Sequence, residues 1–266
     1  MTERERNLES AITAVVAAGN ILALYRQDVF HKFLTTKESF RDIVTEIDRY
    51  AETKIVEILS TATPNIPILS EESGVIGAGH LKNIFWVIDP LDGTVNYVNH
   101  IPLFAVSIAL IEEQEPVAGV VYNPALNELY YGVEGGHAYK NKQRIRVKNG
   151  EPNELLFAAA FSGKNYNPSE RQNEFLAFGK INDGTRGCLR TGSAAMNLCY
   201  VADGRFGGCW GKANKLWDIA AGLLLAKLSG ARVGYRIVDK DKRLVNYVSA
   251  APTAWDFVTQ ELDLDV

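Results

Sequence analysis

The run Ile84-Phe85-Trp86-Val87-Ile88 leaves no polar position for either side of a strand. A strand that is apolar on both faces has to be covered on both, which confines the chain to a layered fold with a buried sheet. The same run ends in Asp89-Pro90-Leu91-Asp92-Gly93-Thr94, with two carboxylates three residues apart. Negative charges at a buried strand end repel each other and lose hydration, so protons or a cation must compensate them.

The hydrophobic pattern around this run is mixed. Leu8, Ile12, Val15, Val16, Gly19 and Leu22 recur at helical spacing and predict an amphipathic helix over 5–26, followed by a polar loop over 31–42. Val44, Ile47, Ala51, Ile55, Ile58 and Leu59 predict a second helix, with Thr45 and Asp48 at its start spaced as in a capping box. Strands are then predicted over 66–69, 84–88, 104–112, 116–123 and 128–134, with a meander through 137–147. Beyond these lie a strand over 155–161, a helix around 170–180, a helix within 192–204, a short strand over 205–210 and a buried helix over 217–230. A strand near 247–252 and a terminal helix from 253 close the chain. The order implies an α+β fold of alternating helix and sheet layers, the first sheet largely antiparallel. No linker or repeat is evident, so one domain over 1–266 is expected, with sub-regions of about 1–150 and 151–266 sharing a cleft.

A net charge of −4 and the lack of a dense Lys/Arg run argue against a nucleic-acid or anionic-membrane surface. The N-terminus carries both signs of charge and does not read as a signal peptide. The apolar stretch over 216–233 is interrupted by Asp218 and Lys227 and is too short to span a bilayer. Cys188, Cys199 and Cys209 form no paired motif and read as small buried hydrophobes in a reducing compartment. A cytoplasmic protein is expected.

Carboxylates gather at element ends: Glu71 and Glu72 after one strand, Asp89 and Asp92 after the next, Asp218 opening a helix, Asp42 and Asp48 flanking another. Singly, each suits a cap or a solvated charge; Asp218 fits a helix's first turn. Together with Gly93, which admits close approach to the backbone, and the Thr94 hydroxyl, they suit hard divalent cations. The grouping predicts Mg²⁺, water activated as a nucleophile, and a bound phosphate as electrophile. Walker A, HExxH, GxSxG and paired Cys/His patterns do not occur.

The blocks DIVTEID, EES, WVIDPLDGTVNYV, RTGSAAMNLCYVADG and LWDIAAG occur in an order that resembles the inositol monophosphatase family over nearly the whole chain. The resemblance implies the sandwich shared with fructose-bisphosphatases and a lithium-sensitive, Mg²⁺-dependent phosphomonoesterase, with Mn²⁺ as a possible substitute. By motif, Glu71, Asp89 and the Leu91 carbonyl should hold one Mg²⁺; Asp89, Asp92 and Asp218 a second; a weaker third should lean on Glu71. Thr94 and Asp48 should prepare the attacking water, and Glu72 receives no metal role. The Gly93 and Thr94 amides should receive phosphate oxygens, and Gly192, Ser193 and Ala194 should contact the substrate. By the same resemblance Asp92 and Asp218 should border the substrate space as well. A small phosphorylated substrate and a homodimer are expected as partners.

Haloacid-dehalogenase-like enzymes carry D-x-D-G-T, with acids two apart and usually near the N-terminus; here the acids are three apart around Pro90, at position 89. A regulatory metal-binding relative without activity is the other rival, but Thr94 and Asp218 are both present. Inositol-specific members carry a Glu six residues before the WD tryptophan, where this chain has Gly211. Lys212 and Lys215 beside it suit either a second anion or plain solvation. Fructose 1,6-bisphosphate, histidinol phosphate, adenosine 3',5'-bisphosphate and other sugar phosphates stay open as substrates.

Overall fold

Two helices open the chain in the computed structural model, which describes residues 1–35, 40–77, 81, 83–161 and 168–262. They are α1 (Glu3–Thr35) and α2 (Phe40–Ala62). Helix α1 therefore runs past 26, and much of the segment expected as a loop is helical; residues 36–39 of it lie outside the described residues. Thr45 falls inside α2, so it does not cap that helix and the capping-box reading is wrong. The strand content of the first half is β1 (Ile68–Ser70), β2 (Gly74–Ile76), β3 (Ile84–Asp92), then, past the short helix α3 (Thr94–Val98), β4 (Ala105–Glu112), β5 (Glu115–Asn123), β6 (Glu128–Val133), β7 (Tyr139–Lys140) and β8 (Gln143–Arg144). The second half holds β9 (Phe157–Ala160), α4 (Pro168–Gly184), β10 (Cys188–Leu189), α5 (Ala194–Ala202), β11 (Gly208–Lys215), α6 (Leu216–Leu228), β12 (Arg232–Asp239), β13 (Leu244–Ala250) and α7 (Trp255–Leu262).

The strands form two sheets. The first has the order β2-β1-β3-β4-β5-β6-β7-β8, antiparallel throughout except between β1 and β3. The second, in the order β10-β9-β11-β13-β12, is parallel from β10 to β11 and antiparallel beyond. Among the described residues five layers pack on three cores, the middle one reaching across two boundaries. Leu8, Val15 and Leu22 of α1 and Ile55 and Leu59 of α2 pack on Trp86, Ile88 and Ile108 of the first sheet. The other face of that sheet, with Val87, Ala109 and Val121, packs on Leu198 of α5 and Ile219 and Leu225 of α6, which in turn meet Cys209 and Tyr247 of the second sheet. Phe157, Trp210 and Val248 on that sheet's far face are covered by Ile181 of α4 and Val258 of α7.

This layering explains β3. Residues 86–92 are buried without alternation because α1 and α2 cover one face and α5 and α6 the other. Trp86 lends its indole N–H to the Thr63 hydroxyl at 2.9 Å, so the large ring is buried without an orphan donor. Residues Glu3–Arg26 of α1 are long and apolar enough to cross a bilayer, unlike the 216–233 stretch, but their Leu8, Ala11, Ala14, Val15, Ala18 and Leu22 face lies in the core.

Candidate active site

Two residues three apart on a regular strand point to opposite faces. Along β3 and β4, Asp89 pairs with Ser107 and Asp92 with Ala105, so three steps on one strand match two on the other. That is a β-bulge, and the extra residue returns both aspartates to the same face. Ser107, opposite Asp89, donates its hydroxyl to the Trp217 carbonyl at 3.3 Å, which places this face against the start of α6. Pro90, with no N–H to offer, sits within the irregularity. The Leu91 amide beyond it donates to Asp89 Oδ1 at 2.9 Å.

Helix α6 then delivers Asp218. Its Oδ2 accepts the Lys215 amide at 3.2 Å, so Asp218 caps the helix in its first turn and also faces the aspartates. The cap and the site are compatible because the bond fixes where the carboxylate points. Glu71 arrives from the turn between β1 and β2. One ligand oxygen from each of Glu71, Asp89 and Asp218 lies within 4.8 Å of the others.

Burial raises the proton affinity of the whole group. Asp89 and Asp218 are pushed well above the ordinary carboxylate range by desolvation, then by the charges of their neighbours. Glu71 is exposed as a residue, but its carboxyl turns inward, and desolvation pushes it up to about 7, against a hydrogen bond with Asp89 that lowers it. Asp92 is raised to about 6 by desolvation, with hydrogen bonds from Ser193 and the Ala195 and Ala194 amides opposing. Carboxylates that resist ionising together, with only oxygen donors between them, are the donor set a hard divalent cation fits.

Asp92 is held apart from the tight group of three. The Ser193 hydroxyl donates to Asp92 Oδ2, the Ala195 amide donates to it at 3.0 Å and the Ala194 amide reaches Oδ1 at 3.4 Å. Ser193 also caps α5, accepting the Met196 amide at 3.2 Å. The segment expected to contact substrate thus spends several donors on Asp92. Gly192 (φ +88°) precedes it, where a Cβ would come within 2.9 Å of the Asn96 amide group. Asn96 donates to the Leu103 and Thr191 carbonyls at 2.6 and 2.8 Å and so ties α3 to that segment. The sequence reading did not single out Asn96; a buried Asn in the first turn of a short helix carries no distinctive pattern.

Gly93 caps α3 with φ +86°, and a Cβ there would meet the Leu103 carbonyl at 2.9 Å. The Thr94 hydroxyl donates to the Leu91 carbonyl at 3.1 Å. Asp48 lies one layer over on α2, 7% exposed, with Oδ1 free of any partner among the described residues. Desolvation, reinforced by Glu72, Glu71 and Glu52, raises Asp48 to about 8. The side chain of Asp42 lies outside the described residues. Glu52, not anticipated, is buried one helical turn beyond Asp48 and accepts both the Ser73 amide and hydroxyl. Its spacing of four from Asp48 was the available signal.

At Gly211 the space of a side chain is already filled. A Cβ would fall 2.1 Å from Asn214 Oδ1 and 2.6 Å from the Tyr247 ring. Strand β11 bulges between Gly211 and Asn214, with Ala213 in the left-handed region (φ 50°) and its amide held by Asn246 Oδ1 at 2.9 Å. Lys215 reaches the Lys242 carbonyl at 2.9 Å and lies over the Trp217 ring, whereas Lys212 has no partner among the described residues.

Fold and site together define an αβαβα protein with a partly buried carboxylate group, drawn from a strand end, a turn and a helix start, that suits divalent cations. The pattern of the inositol monophosphatase family matches residues 3–249, and the chain belongs to that family. It is 39% identical over 231 residues to a protein named Nus factor SuhB from Pasteurella multocida, covering 85% of this chain and 84% of the relative. It is 33% identical over 264 residues to a fructose-1,6-bisphosphatase/inositol-1-monophosphatase from Aquifex aeolicus, covering 98% and 96%. The solved inositol monophosphatase of Anabaena (Nostoc) sp. PCC 7120 superposes with a TM-score of 0.83 at 29% identity, over 98% of this chain and 97% of that one.

Proposed function

We propose that the protein is a Mg²⁺-dependent hydrolase of a small phosphate monoester, acting by direct attack of water. The convergence of Glu71, Asp89 and Asp218 from three separate elements to within 4.8 Å carries this reading. In it, Glu71, Asp89 and the Leu91 carbonyl hold one cation, Asp89, Asp92 and Asp218 another, and Glu71 contributes to a weaker third. Bound Mg²⁺ supplies positive charge toward the phosphate dianion and activates water; Mn²⁺ is a possible substitute and Li⁺ an inhibitor. The chain's own groups do the rest. Asp48, whose Oδ1 has no partner among the described residues, would take a proton from the water once it is itself ionised, and Thr94 would orient that water. The Gly93 and Thr94 amides receive phosphate oxygens. Ser193 and the Ala194 amide hold Asp92 facing the alcohol half of the substrate.

The alcohol half is open to inositol phosphate or a related sugar phosphate, including a bisphosphate. The filled space at Gly211 supports a substrate other than one read by a glutamate there. We place the protein in the cytoplasm as a homodimer, without nucleic acid or membrane as partner. The name Nus factor borne by the Pasteurella relative raises a role other than catalysis, but the carboxylate group of Glu71, Asp89 and Asp218 favours catalysis here. A phosphate-release panel over inositol 1-phosphate, fructose 1,6-bisphosphate, histidinol phosphate and adenosine 3',5'-bisphosphate, with Mg²⁺ and with chelator, tests the reading. Release with Mg²⁺ and none in chelator is expected; full activity in chelator would overturn the metal mechanism.

A further inference from the structure

Glu71 sits on an unusually slight support. Strands β1 and β2 have three residues each and pair antiparallel with Ser70 opposite Gly74. The hairpin loop between them is therefore Glu71-Glu72-Ser73, followed by Gly74 in the left-handed region (φ +70°), and β2 is the sheet edge. A hairpin this short has little stability of its own. On the β3 side the loop is tied by the Glu71 amide, which donates to the Ile88 carbonyl at a long 3.3 Å.

The other tie comes from α2. Glu52 Oε1 accepts the Ser73 amide at 3.0 Å and its Oε2 accepts the Ser73 hydroxyl at 2.6 Å. Glu52 is 5% exposed, so these charge-assisted bonds are what makes its burial tolerable. One carboxylate thus grips both donors of the last loop residue, two positions from Glu71.

We propose that Glu52 is a positioning residue that fixes the β1–β2 turn so that Glu71 faces Asp89 and Asp218, and thereby sets the affinity for Mg²⁺. The proposal rests on the reading of Glu71 as a metal ligand. Glu52 touches neither metal nor substrate; it acts through Ser73 and the turn. Groups that orient metal ligands typically govern affinity by about 10- to 100-fold.

The test is Mg²⁺ binding by calorimetry on the full chain, beside the half-saturating Mg²⁺ for phosphate release. Glu52→Ala should raise the Mg²⁺ Kd about tenfold or more, with kcat at saturating Mg²⁺ falling far less. Ser73→Ala, which keeps the amide bond, should raise it by a smaller factor and serves alone if Glu52→Ala does not fold. Glu52→Gln keeps an acceptor for the Ser73 amide and should lie closer to wild type than Glu52→Ala. An unchanged Kd in Glu52→Ala and Ser73→Ala, whatever the change in thermal stability, would overturn the proposal. So would a Gln variant as weak as the Ala variant, since charge rather than position would then be at work. Wild-type protein that binds no Mg²⁺ would instead sink the metal reading itself.

Discussion

The Thr94 hydroxyl donates to the Leu91 carbonyl at 3.1 Å, which leaves its lone pairs facing outward as acceptors. A hydroxyl held by one bond and open on its other side suits the task of orienting water. Thr94→Ala should lower kcat by about 10²–10⁴-fold, the usual contribution of such assistance, with the Mg²⁺ Kd little changed. Single-turnover phosphate release beside calorimetry checks this; equal losses in both would make Thr94 a metal-site residue. At this scale the sequence was informative where spacing is peculiar and silent where it is common. DPLDGT announced itself because two acids and a glycine at the end of an apolar run have no ordinary structural use. Glu52 did not, because α2 also carries Glu46 and Glu57, which are exposed, and a spacing of four from Asp48 is too common within a helix to set Glu52 apart.

Strand β11 shows how an element can alter a site without touching its acids. The periodicity placed a short strand over 205–210, whereas the strand runs over Gly208–Lys215 and carries a bulge after Gly211. Restoring the family's glutamate by Gly211→Glu looks from sequence alone like a gain of inositol binding. The strand argues otherwise. The new side chain would meet Asn214, Tyr247 and the Ala160 carbonyl, the last at 3.0 Å from Cβ and part of backbone. Overpacking of this kind costs about 1–3 kcal/mol. A lower melting temperature and no selective rise in kcat/KM for inositol 1-phosphate are expected. A selective rise would mean that the bulge relaxes to the family's path. Strand β12 escaped the sequence reading for a different reason: as an edge strand with exposed and half-buried positions in irregular order, it has no alternation to detect.

At the scale of the whole molecule, the layers bury the site's carboxyls so that they resist ionising. Glu71, Asp92 and Asp48 hold protons up to about 7, 6 and 8, well above the roughly 4 of carboxyls in an unfolded chain. Between about pH 4 and 8 the folded state therefore binds more protons than the unfolded one, and stability falls as pH rises. In chelator, the melting temperature should drop from pH 5 to pH 8. With Mg²⁺ the drop should shrink or reverse, because cations bind the deprotonated group; at 100 times Kd, binding contributes about 2.7 kcal/mol. Identical pH profiles with and without Mg²⁺ would contradict the coupling. The layered architecture was legible because buried strands and helices leave opposite periodicities. The assembly of the site was less so, since its members are scattered from position 48 to 218 and only the packing of layers unites them.

Those layers also enclose the thiols. Cys188 on β10, Cys199 in α5 and Cys209 on β11 are all buried, and desolvation pushes the Cys188 thiol up to about 12 and raises the other two as well. Since the thiolate is the reactive form, an intact fold presents almost none to an alkylating reagent. Modification then waits on transient opening, and the three positions report separate events: exposure of the second sheet's outer face at Cys188, and of its inner face at Cys209 together with the helix beneath it at Cys199. The chain carries, in three unremarkable residues, its own record of how often its interior breathes.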